Sequence, residues 1–381
     1  MRAVSSRYLL RLLVLQMEAA TGCFSARYVD PSGFERILTL SYFQSDRSVS
    51  LYDTKAGKSF LKRIQPPENI DINNLYLGAS VTICSRPMKI IGFADDKTKR
   101  LYTTTRGSSL LLIKPDAYRQ MGQILDVIFH SDLAVGRIRM VRFSLEEANQ
   151  FVALSGSETS PVTLIKDNML AIELAGEDVV SRVHELAGPA DPSDARSATP
   201  NSIRALFGES RERNAVHASS SMETAKLELA FIFDRSYPYT ARYNNNSAVI
   251  IKPHVVESKL AGRIFDAILE TGLEISAVRS MIMGFNDAAE YLEHYKGVVP
   301  EYSLWVKEVT SGPSIVLEIR GESCVHRIRE LFGPYDPVIA QALRPDTIRS
   351  RFGIDVRRNA VFCTDIERDG PLEAKFLFTV L

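Results

Sequence analysis

Short apolar runs with partial alternation of hydrophobic and polar positions mark the first hundred residues. Turn-forming residues separate these runs, as at Ala56 and Gly57 or at Pro66 and Pro67. Short strands at near-regular spacing, with turn residues between them, predict a small β-rich domain. We predict its strands over residues 36–42, 48–53, 58–63, 81–85 and 88–93.

The pattern changes after residue 103, where apolar strands run into Lys-Pro at Lys114 and Lys252. Proline ends strand pairing there, and helices with apolar residues three and four positions apart follow. The resulting βαββαβ order predicts an α/β sandwich whose antiparallel sheet is covered by helices on one face. We predict strands over residues 109–113, 136–143 and 169–174, and again over 248–251, 274–283 and 314–319.

The two halves of this region are copies of one another. The first reads SIRALFG and then RNAVHAS around Arg204, and the second reads TIRSRFG and then RNAVFCT around Arg349. These arginines lie 145 residues apart (349 − 204), whereas Lys114 and Lys252 lie 138 apart (252 − 114), so the second copy holds extra residues between the motifs. Repeats of this length are tandem domains rather than solenoid units.

The sequence therefore divides into four parts. We predict an N-terminal extension over residues 1–25, a β-rich domain over 26–103, a first repeat over 108–234 and a second repeat over 247–381. The connection over 234–247 carries Pro238 and a run of three asparagines, a composition typical of an exposed linker.

The N-terminal extension has more than one interpretation. Arg2, Arg7 and Arg11 flank an apolar run over residues 9–15, which is the pattern of a targeting peptide. The same residues fit a short amphipathic or disordered extension, and they also fit sequence added upstream of a true start at Met17.

Composition limits the classes of function. With 46 basic and 46 acidic side chains the net charge is zero, which gives no global attraction to nucleic acid or to an anionic membrane. The four cysteines lie far apart without a CxxC pair, so reduced thiols are predicted rather than a disulfide frame or a metal site. No apolar run is long enough to span a membrane. A basic cluster of Lys58, Lys62 and Arg63 forms either a solvated face or a contact with a partner.

The repeated motifs resemble those of nucleoside diphosphate kinases. The resemblance rests on Lys-Pro after a strand, a Gly-Pro turn, SIR or TIR, and RNAV before His217 or Phe362, and it spans residues 108–381. It implies a ferredoxin-like sandwich that moves a γ-phosphate between nucleotides through a phosphohistidine, with Mg²⁺ accompanying ATP and ADP or GTP and GDP. A neutral imidazole is a good nucleophile toward phosphorus near pH 7, and lysine and arginine neutralise the phosphate oxygens.

In the first repeat the resemblance assigns a complete catalytic group. His217 matches the phosphate-accepting histidine, Glu228 the carboxylate that orients its ring, and Ser219 a nearby hydroxyl. One position departs from the family pattern, because His184 stands where a second phosphate arginine belongs. The resemblance implies phosphate and ribose ligands at Lys114, Arg204 and Asn214.

The stretch over residues 144–168 is a larger departure. The family forms a helical hairpin here, with a tyrosine near the nucleophile and an aromatic side chain that stacks on the base. This stretch is short, rich in serine and threonine, and lacks both the tyrosine and a Ser-Gly-Pro ending. Because stacking and phosphate contacts supply much of nucleotide affinity, we predict weak binding in this repeat even with His217 present.

The second repeat departs in the opposite way. Its hairpin is present over residues 290–313, and Tyr295 matches the tyrosine near the nucleophile. Thr364 and Glu373 still surround the nucleophile's place, but that place is Phe362, whose phenyl ring has no lone pair to attack phosphorus. The sequence leaves open whether the second repeat binds a nucleotide without transferring its phosphate. The implied nucleotide ligands are Lys252, Arg329, Arg349 and Asn359, of which Lys252 and Arg349 also fit a purely structural role.

The β-rich domain adds a second resemblance. Its segments ARYVDP near Tyr28, SVSLYDTKAGKSFLKR over 48–63 and LYLGASVTICSRPMKIIGF over 75–93 are similar to the DM-ten module. Followed by two kinase-like repeats, they give the layout of the nucleoside diphosphate kinase seven family. This resemblance implies a microtubule inner protein of the ciliary and flagellar axoneme, with a cytoplasmic pool, that contacts tubulin and other lumenal proteins of the doublet. The alternative is a low-activity or autophosphorylating nucleoside diphosphate kinase that acts through His217.

Overall fold

The computed structural model describes residues 22–66, 70, 72–103, 106–156, 159–235 and 237–381. The apolar run over residues 9–15 and its flanking arginines, predicted as part of an extension, lie outside these ranges. No helix within them has the length and apolar character needed to cross a membrane.

The first domain is an antiparallel sheet of six strands followed by a helix. Its elements are β1 (Gly22–Val29), β2 (Glu35–Phe43), β3 (Ser48–Asp53), β4 (Lys58–Ile64), β5 (Ser80–Ile83), β6 (Arg86–Phe93) and α1 (Asp96–Thr103). The strands lie in the order β4-β3-β2-β1-β6-β5, and Phe24, Leu40, Leu51 and Ile90 meet in one core. All five predicted strands are present. The prediction missed β1, a central strand that begins inside the segment assigned to the extension.

The two repeats share one eight-stranded antiparallel sheet. Its strands are β7 (Arg106–Ile113), β8 (Ala134–Val141), β9 (Met169–Glu177), β10 (Val216–Ala218), β11 (Asn246–Ile251), β12 (Glu274–Met281), β13 (Ser314–Arg320) and β14 (Val361–Cys363). They lie in the order β10-β7-β9-β8-β12-β13-β11-β14, so each repeat supplies one half and the halves meet where β8 pairs with β12. This arrangement confirms the predicted α+β class with two ferredoxin-like repeats.

The helices follow the same order in both repeats, with one more in the second. Those of the first repeat are α2 (Met121–Phe129), α3 (Leu145–Ser155), α4 (Pro161–Leu164), α5 (Val179–Ala187), α6 (Pro192–Ala198), α7 (Ile203–Phe207) and α8 (Met222–Leu229). Those of the second are α9 (Pro253–Glu257), α10 (Ala261–Glu270), α11 (Phe285–Tyr291), α12 (Tyr302–Val309), α13 (Cys324–Phe332), α14 (Pro337–Leu343), α15 (Ile348–Phe352) and α16 (Gly370–Lys375).

Helices cover both faces of the shared sheet, so the prediction of a single covered face was wrong. Leu111 and Ile113 of β7 pack toward α2, whereas Leu110 and Leu112 pack on the other face with Phe151 of α3. A strand that is buried on both faces shows a continuous apolar run instead of alternation. The run over residues 110–113 has that character.

Like charges meet where the two halves of the sheet join. Arg139 of β8 is paired in register with Arg279 of β12. The ring of Tyr239 receives both guanidinium groups, at 4.5 Å and 4.9 Å from its centroid, in cation–π contacts that offset their repulsion. Arg279 also donates to the carbonyl of Leu377 at 3.0 Å. The linker predicted as exposed is therefore half-buried at Tyr239 and covers this junction.

Two glycines allow α2 and α10 to cross at backbone contact. A Cβ atom on Gly122 would lie 2.6 Å from the carbonyl oxygen of Gly262, and one on Gly262 would lie 2.5 Å from that of Gly122. Asp126 accepts the backbone amide of Arg263, and Asp266 accepts that of Gln123, so each helix caps first-turn amides of the other. Burial, then the charge of Asp126, raises the pKa of Asp266 to about 6. The repeats thus form an internal pseudo-dimer, a point that the sequence left open.

The glycine crossing gives a first testable prediction. Gly122→Ala and Gly262→Ala each insert a methyl group into space that backbone already fills. We expect each to lower the free energy of unfolding of the repeats by about 1–3 kcal/mol, the range for overpacked cores. Gly92→Ala is the matched control, because a Cβ atom there meets only the side chain of Ser25, at 3.7 Å. Urea unfolding measures the effect, and equal midpoints for all three variants would contradict it.

Candidate functional site

The two candidate sites lie at opposite ends of the shared sheet. His217 is the middle residue of β10 and pairs with Leu112, and Phe362 is the middle residue of β14 and pairs with Ile250. Both strands are three residues long and lie at an outer edge of the sheet. The repeats therefore present the same position, with a different side chain, at two separated places.

In the first repeat the structure brings the predicted catalytic group together. His217 Nε2 lies 2.9 Å from Glu228 Oε1, and Ser219 Oγ donates to Glu228 Oε2. Glu228 is completely buried. An ionised carboxylate only accepts hydrogen bonds, so pairing with the carboxylate form of Glu228 requires the imidazole proton on Nε2 and leaves the lone pair on Nδ1. This tautomer is the one in which Nδ1 is able to act as a nucleophile.

Aromatic side chains pack against that histidine. The ring of Phe151 from α3 meets the ring of His217 edge-on, with centroids 5.3 Å apart. Phe151 also contacts Phe143 and Phe231 in an apolar cluster, and it is 1% exposed. The sequence prediction did not single out Phe151. The short hairpin does form, as α3 and α4, but it places a phenyl ring beside the nucleophile and leaves the imidazole 8% exposed.

The predicted nucleotide ligands of the first repeat donate to the main chain. Lys114 Nζ donates to the carbonyl of Glu212 at 2.9 Å, and Asn214 Nδ2 donates to that of Ala190 at 2.8 Å. Arg204 donates to Gly188 and Val216 carbonyls, at 2.6 Å and 3.1 Å, while its buried Nε has no hydrogen-bond partner among the residues that the structure describes. Burial lowers the pKa of both Lys114 and Arg204. These side chains brace the loops around the site. His184, which stands where the family pattern has a second phosphate arginine, contacts the carbonyl of Ser219 at 2.9 Å.

In the second repeat Phe362 has become part of the packing. The Nζ atom of Lys252 lies 3.9 Å from the centroid of the Phe362 ring, and the ring of Trp305 meets that of Phe362 edge-on at 5.2 Å. Lys252 Nζ also donates to the carbonyl of Arg357 at 2.9 Å and to Asn359 Oδ1 at 2.6 Å. Complete burial, then the charge of Arg349, holds the pKa of Lys252 well below its ordinary value. The lysine is thus committed to the interior of the fold.

Two further predicted ligands repeat the bracing of the first copy. Arg349 donates to the carbonyls of Gly333 and Val361, at 2.7 Å and 3.2 Å, and its Nε lacks a hydrogen-bond partner within the described ranges. Asn359 Nδ2 donates to the carbonyl of Tyr335 at 2.8 Å. The pairs Arg204 and Arg349, and Asn214 and Asn359, therefore do the same structural work in both repeats.

Asp365 accepts hydrogen bonds from the remaining two predicted ligands, Arg329 and Tyr295. Arg329 Nη1 donates to Asp365 Oδ1 at 2.7 Å, and Tyr295 Oη donates to Asp365 Oδ2 at 2.5 Å. Burial and then this carboxylate raise the pKa of Tyr295. Sequence reasoning missed Asp365, although it follows directly after Thr364, a position that the motif comparison did use.

A cavity of about 770 Å³ opens beside these groups in the second repeat. Its volume lies within the roughly 300–1,000 Å³ of small-molecule sites. Its lining brings together Tyr295, Trp305, Arg329, Tyr335, Arg344, Arg349, Asn359 and Phe362. Among the residues that the structure describes, no three His, Cys, Asp or Glu side chains are grouped so as to hold a metal ion.

Glu373 has a different environment from its matched residue in the first repeat. Its matched residue, Glu228, contacts an imidazole and a hydroxyl, whereas Glu373 accepts, within the described part of the chain, from Thr364, at 2.7 Å, and from Tyr291, at 3.4 Å. Burial raises the pKa of Glu373 from its ordinary value of 4.5 to about 7. The carboxyl group of Glu373 therefore lacks the imidazole partner that Glu228 has in the first repeat.

Comparison with known proteins gives matches over both repeats and over nearly the whole chain. A family model described as "Nucleoside diphosphate kinase" matches residues 107–237 and 245–380. The chain is 36% identical over 367 residues to "Nucleoside diphosphate kinase homolog 7" of Rattus norvegicus, covering 94% of this chain and 93% of that protein. The corresponding protein of Mus musculus is 34% identical over the same share.

Two matches to shorter proteins each cover about one third of this chain. "Nucleoside diphosphate kinase" of Aquifex aeolicus (strain VF5) is 37% identical over 131 residues, which is 33% of this chain and 92% of that protein. The orthorhombic crystal structure of the Aquifex aeolicus enzyme matches with 36% identity and a TM-score of 0.32, covering 34% of this chain and 95% of that one.

The buried carboxyl group of Glu373 gives a prediction about pH. The unfolded chain releases this proton near pH 4.5, while the folded chain keeps it until about pH 7, so stability falls as the pH rises through that window. Glu373→Gln has no proton to lose. We expect it to remove this slope and to raise the free energy of unfolding above pH 7 by at most about 3 kcal/mol.

Urea unfolding of the full chain at pH 4.5 to 8 measures this difference. Glu367→Gln, at an exposed site in the turn before α16, controls for the loss of one carboxylate. A slope that persists unchanged in Glu373→Gln contradicts the role given to this carboxyl group.

Proposed function

The chain belongs to the nucleoside diphosphate kinase family, in its homolog 7 group, and we propose that it serves as a structural component of axonemal doublet microtubules rather than as an efficient kinase. Its partners on this proposal are tubulin and other microtubule inner proteins. It would reside in the axonemes of cilia and flagella, with a cytoplasmic pool. The layout of a DM-ten-like domain before two kinase-like repeats is what suggests this setting.

The proposal rests on one observation: the nucleophile and the ligand-sized cavity lie in different repeats. The histidine and its carboxylate, His217 and Glu228, lie in the first repeat, where Phe151 packs on the imidazole. A ligand-sized cavity lies in the second repeat, where Phe362 stands at the nucleophile's position. Efficient transfer requires nucleotide and nucleophile at one site in near-attack geometry. The described contacts bring the nucleophile and the ligand-sized cavity together in neither repeat. Binding to protein partners therefore explains the fold better than phosphate transfer does.

Contacts between the first domain and the repeats support a scaffold role. Asn286 donates to the carbonyl of Pro31 at 2.9 Å, and the hydroxyl of Tyr76 lies so close to Gly136 that a Cβ there would be 2.3 Å away. Together with the shared sheet, these contacts link all three folded units. A linked body of this kind presents binding surfaces at fixed separations.

The outer strand of the first domain supplies the surface to test. β4 is the edge of its sheet, and Lys58 and Lys62 extend from it. Arg63 differs from these lysines, because it bonds to Asp46 at 2.8 Å and to Ser48 at 2.7 Å. The lysines are therefore the part of the predicted basic cluster that is suited to meet an acidic partner such as the tubulin surface.

The doublet proposal predicts how tagged full-length protein behaves in ciliated or flagellated cells. We expect it to stay with doublets through detergent and high-salt extraction, and Lys58→Glu with Lys62→Glu to release a several-fold larger fraction. Lys226→Glu with Lys375→Glu, at exposed sites on the repeats, is the matched charge control. Quantitative blotting of the pellet and the wash measures retention. Complete release of the unchanged protein by detergent would contradict the proposed association with doublets.

A second candidate function is residual phosphotransfer at His217. It is favoured by the tautomer, since the bond from Nε2 to Glu228 leaves the lone pair of Nδ1 available. That lone pair would attack the γ-phosphorus of ATP while the bond to the β-phosphate oxygen breaks, giving phosphohistidine and ADP. Glu228 stabilises the positive charge that develops on the ring. The family uses nucleotides with Mg²⁺, and this ion is held largely by phosphate oxygens and water.

The second candidate predicts an acid-labile, alkali-stable label after incubation with ATP labelled at the γ-phosphate. We expect weak labelling that His217→Ala abolishes. Phe362→His restores an imidazole next to Glu373, and His217→Ala with Phe362→His tests whether the second repeat lacks only its nucleophile. Labelling that survives His217→Ala alone would contradict a role for His217.

A further inference from the structure

The helix α14 of the second repeat exposes apolar side chains to solvent. Of its seven residues, Pro337 and Ala340 are buried and the others are exposed. A Cβ atom on Gly353 would lie 2.6 Å from the ring of Pro337, so the loop after α15 adjoins the start of this helix. Five large side chains on α14 and beside it are between 46% and 72% exposed: Tyr335, Val338, Ile339, Leu343 and Ile354. Clustered exposed apolar side chains of this kind mark interaction sites.

The matched helix of the first repeat, α6, has the same buried positions and a polar surface. At an offset of 145 residues (337 − 192), Pro192 and Ala195 are buried as Pro337 and Ala340 are. The five apolar residues correspond, in the same order, to the exposed residues Ala190, Ser193, Asp194, Ala198 and Glu209. The fold therefore needs the two buried residues of this helix but does not need an apolar outer surface, which a binding partner explains.

Two arginines lie at the C-terminal end of this surface. Arg344 follows α14 directly, and Arg351 belongs to α15, where the carbonyl of Ser350 accepts from Gln341 of α14 at 3.4 Å. Both arginines are exposed, and neither forms an ion pair with any residue that the structure describes. Asp346 follows Arg344 by two positions, so two cations stand against one anion at this end of the helix.

We propose that this surface binds an amphipathic segment of a protein partner. Its apolar side chains pack on Val338, Ile339 and Leu343, and its acidic residues pair with Arg344 and Arg351. Ile339 and Leu343 are four positions apart, the spacing at which side chains lie on one face of a helix. Such a stripe matches the apolar face of a partner helix. The two arginines select acidic partners, because complementary charge steers association and like charge disfavours it.

The charge of the surface also argues against two other occupants. A symmetric contact places the same surface of two copies face to face, which would bring Arg344 and Arg351 of one copy beside those of the other. Surfaces that bind anionic membranes gather about 4–8 basic residues, more than the two present here. The inference goes beyond the proposed association with doublets and does not depend on it, since α14 is separate from β4 and from His217.

Two dye-labelled synthetic peptides test the surface against the full-length protein. Both are helix-forming, with leucines spaced three and four positions apart, and the positions beside the leucines are glutamate in one peptide and lysine in the other. Fluorescence anisotropy measures their binding. We expect the glutamate peptide to bind about fivefold more tightly than the lysine peptide, the effect of roughly two partly exposed ion pairs.

Variants that copy the first repeat separate the apolar contribution from the charge. Val338→Ser with Ile339→Asp gives α14 the side chains of α6, which the same fold already accommodates. We expect it to weaken binding of the glutamate peptide about tenfold, as for the loss of a central apolar contact, with an unchanged midpoint of urea unfolding. Arg344→Thr with Arg351→Gln should instead bring the two peptides to nearly equal affinity.

The matched control is Val162→Ser with Leu227→Asp, which changes apolar side chains of similar exposure in the first repeat. We expect it to leave both affinities unchanged. Equal binding of the two peptides by the unchanged protein contradicts the acidic partner, and binding that Val338→Ser with Ile339→Asp leaves unchanged contradicts the surface.

Two further measurements examine the other occupants. Light scattering that shows a dimer of the unchanged protein, dissociated by Val338→Ser with Ile339→Asp, would assign the surface to a second copy of the chain and overturn the proposal. Sedimentation with phosphatidylserine vesicles that the same variant abolishes would assign it to a membrane, with the same consequence. We expect a monomer that stays in solution in both measurements.

Discussion

The backbone contact between α2 and α10 is the constraint on which the rest of the structure depends. Only glycine at positions 122 and 262 lets the two helices approach closely enough for β8 and β12 to meet in one sheet. Because the sheet then runs through both repeats, each repeat keeps a single outer edge. The strands that carry His217 and Phe362, β10 and β14, occupy those edges, so each site is assembled and altered independently of the other.

The two sites have diverged by a few side chains within a common frame. Main-chain carbonyls receive Arg204 and Asn214 in one repeat and Arg349 and Asn359 in the other, with nearly the same distances. The differences lie in what fills the remaining space. In the first repeat an aromatic cluster packs on the histidine, and in the second a phenyl ring, a buried lysine and the Asp365 carboxylate lie around the matched position. The side chains at the two sites therefore differ without a change of fold.

Sequence reasoning predicted the parts of this molecule that local pattern determines. Strands with alternating or continuous apolar residues were found at nearly their observed positions, and the motif spacing located His217 and Glu228 at the sites where the structure brings them together. The contact of Phe151 with His217 and the bonds of Asp365 depend on how separate segments pack, and no spacing in the sequence encodes them. The crossing at Gly122 and Gly262 was missed for the same reason, since a helical glycine shows no partner until both helices are placed.

The short strands at the two ends of the shared sheet have a consequence for assembly. An exposed sheet edge is a template on which another chain can add a strand, and long, flat edges are the usual origin of uncontrolled aggregation. Here each end of an eight-stranded sheet narrows to three residues. Sheet-to-sheet growth between neighbouring molecules therefore has little backbone to pair with. Molecules of this kind can be packed side by side at high density while each stays a separate folded unit.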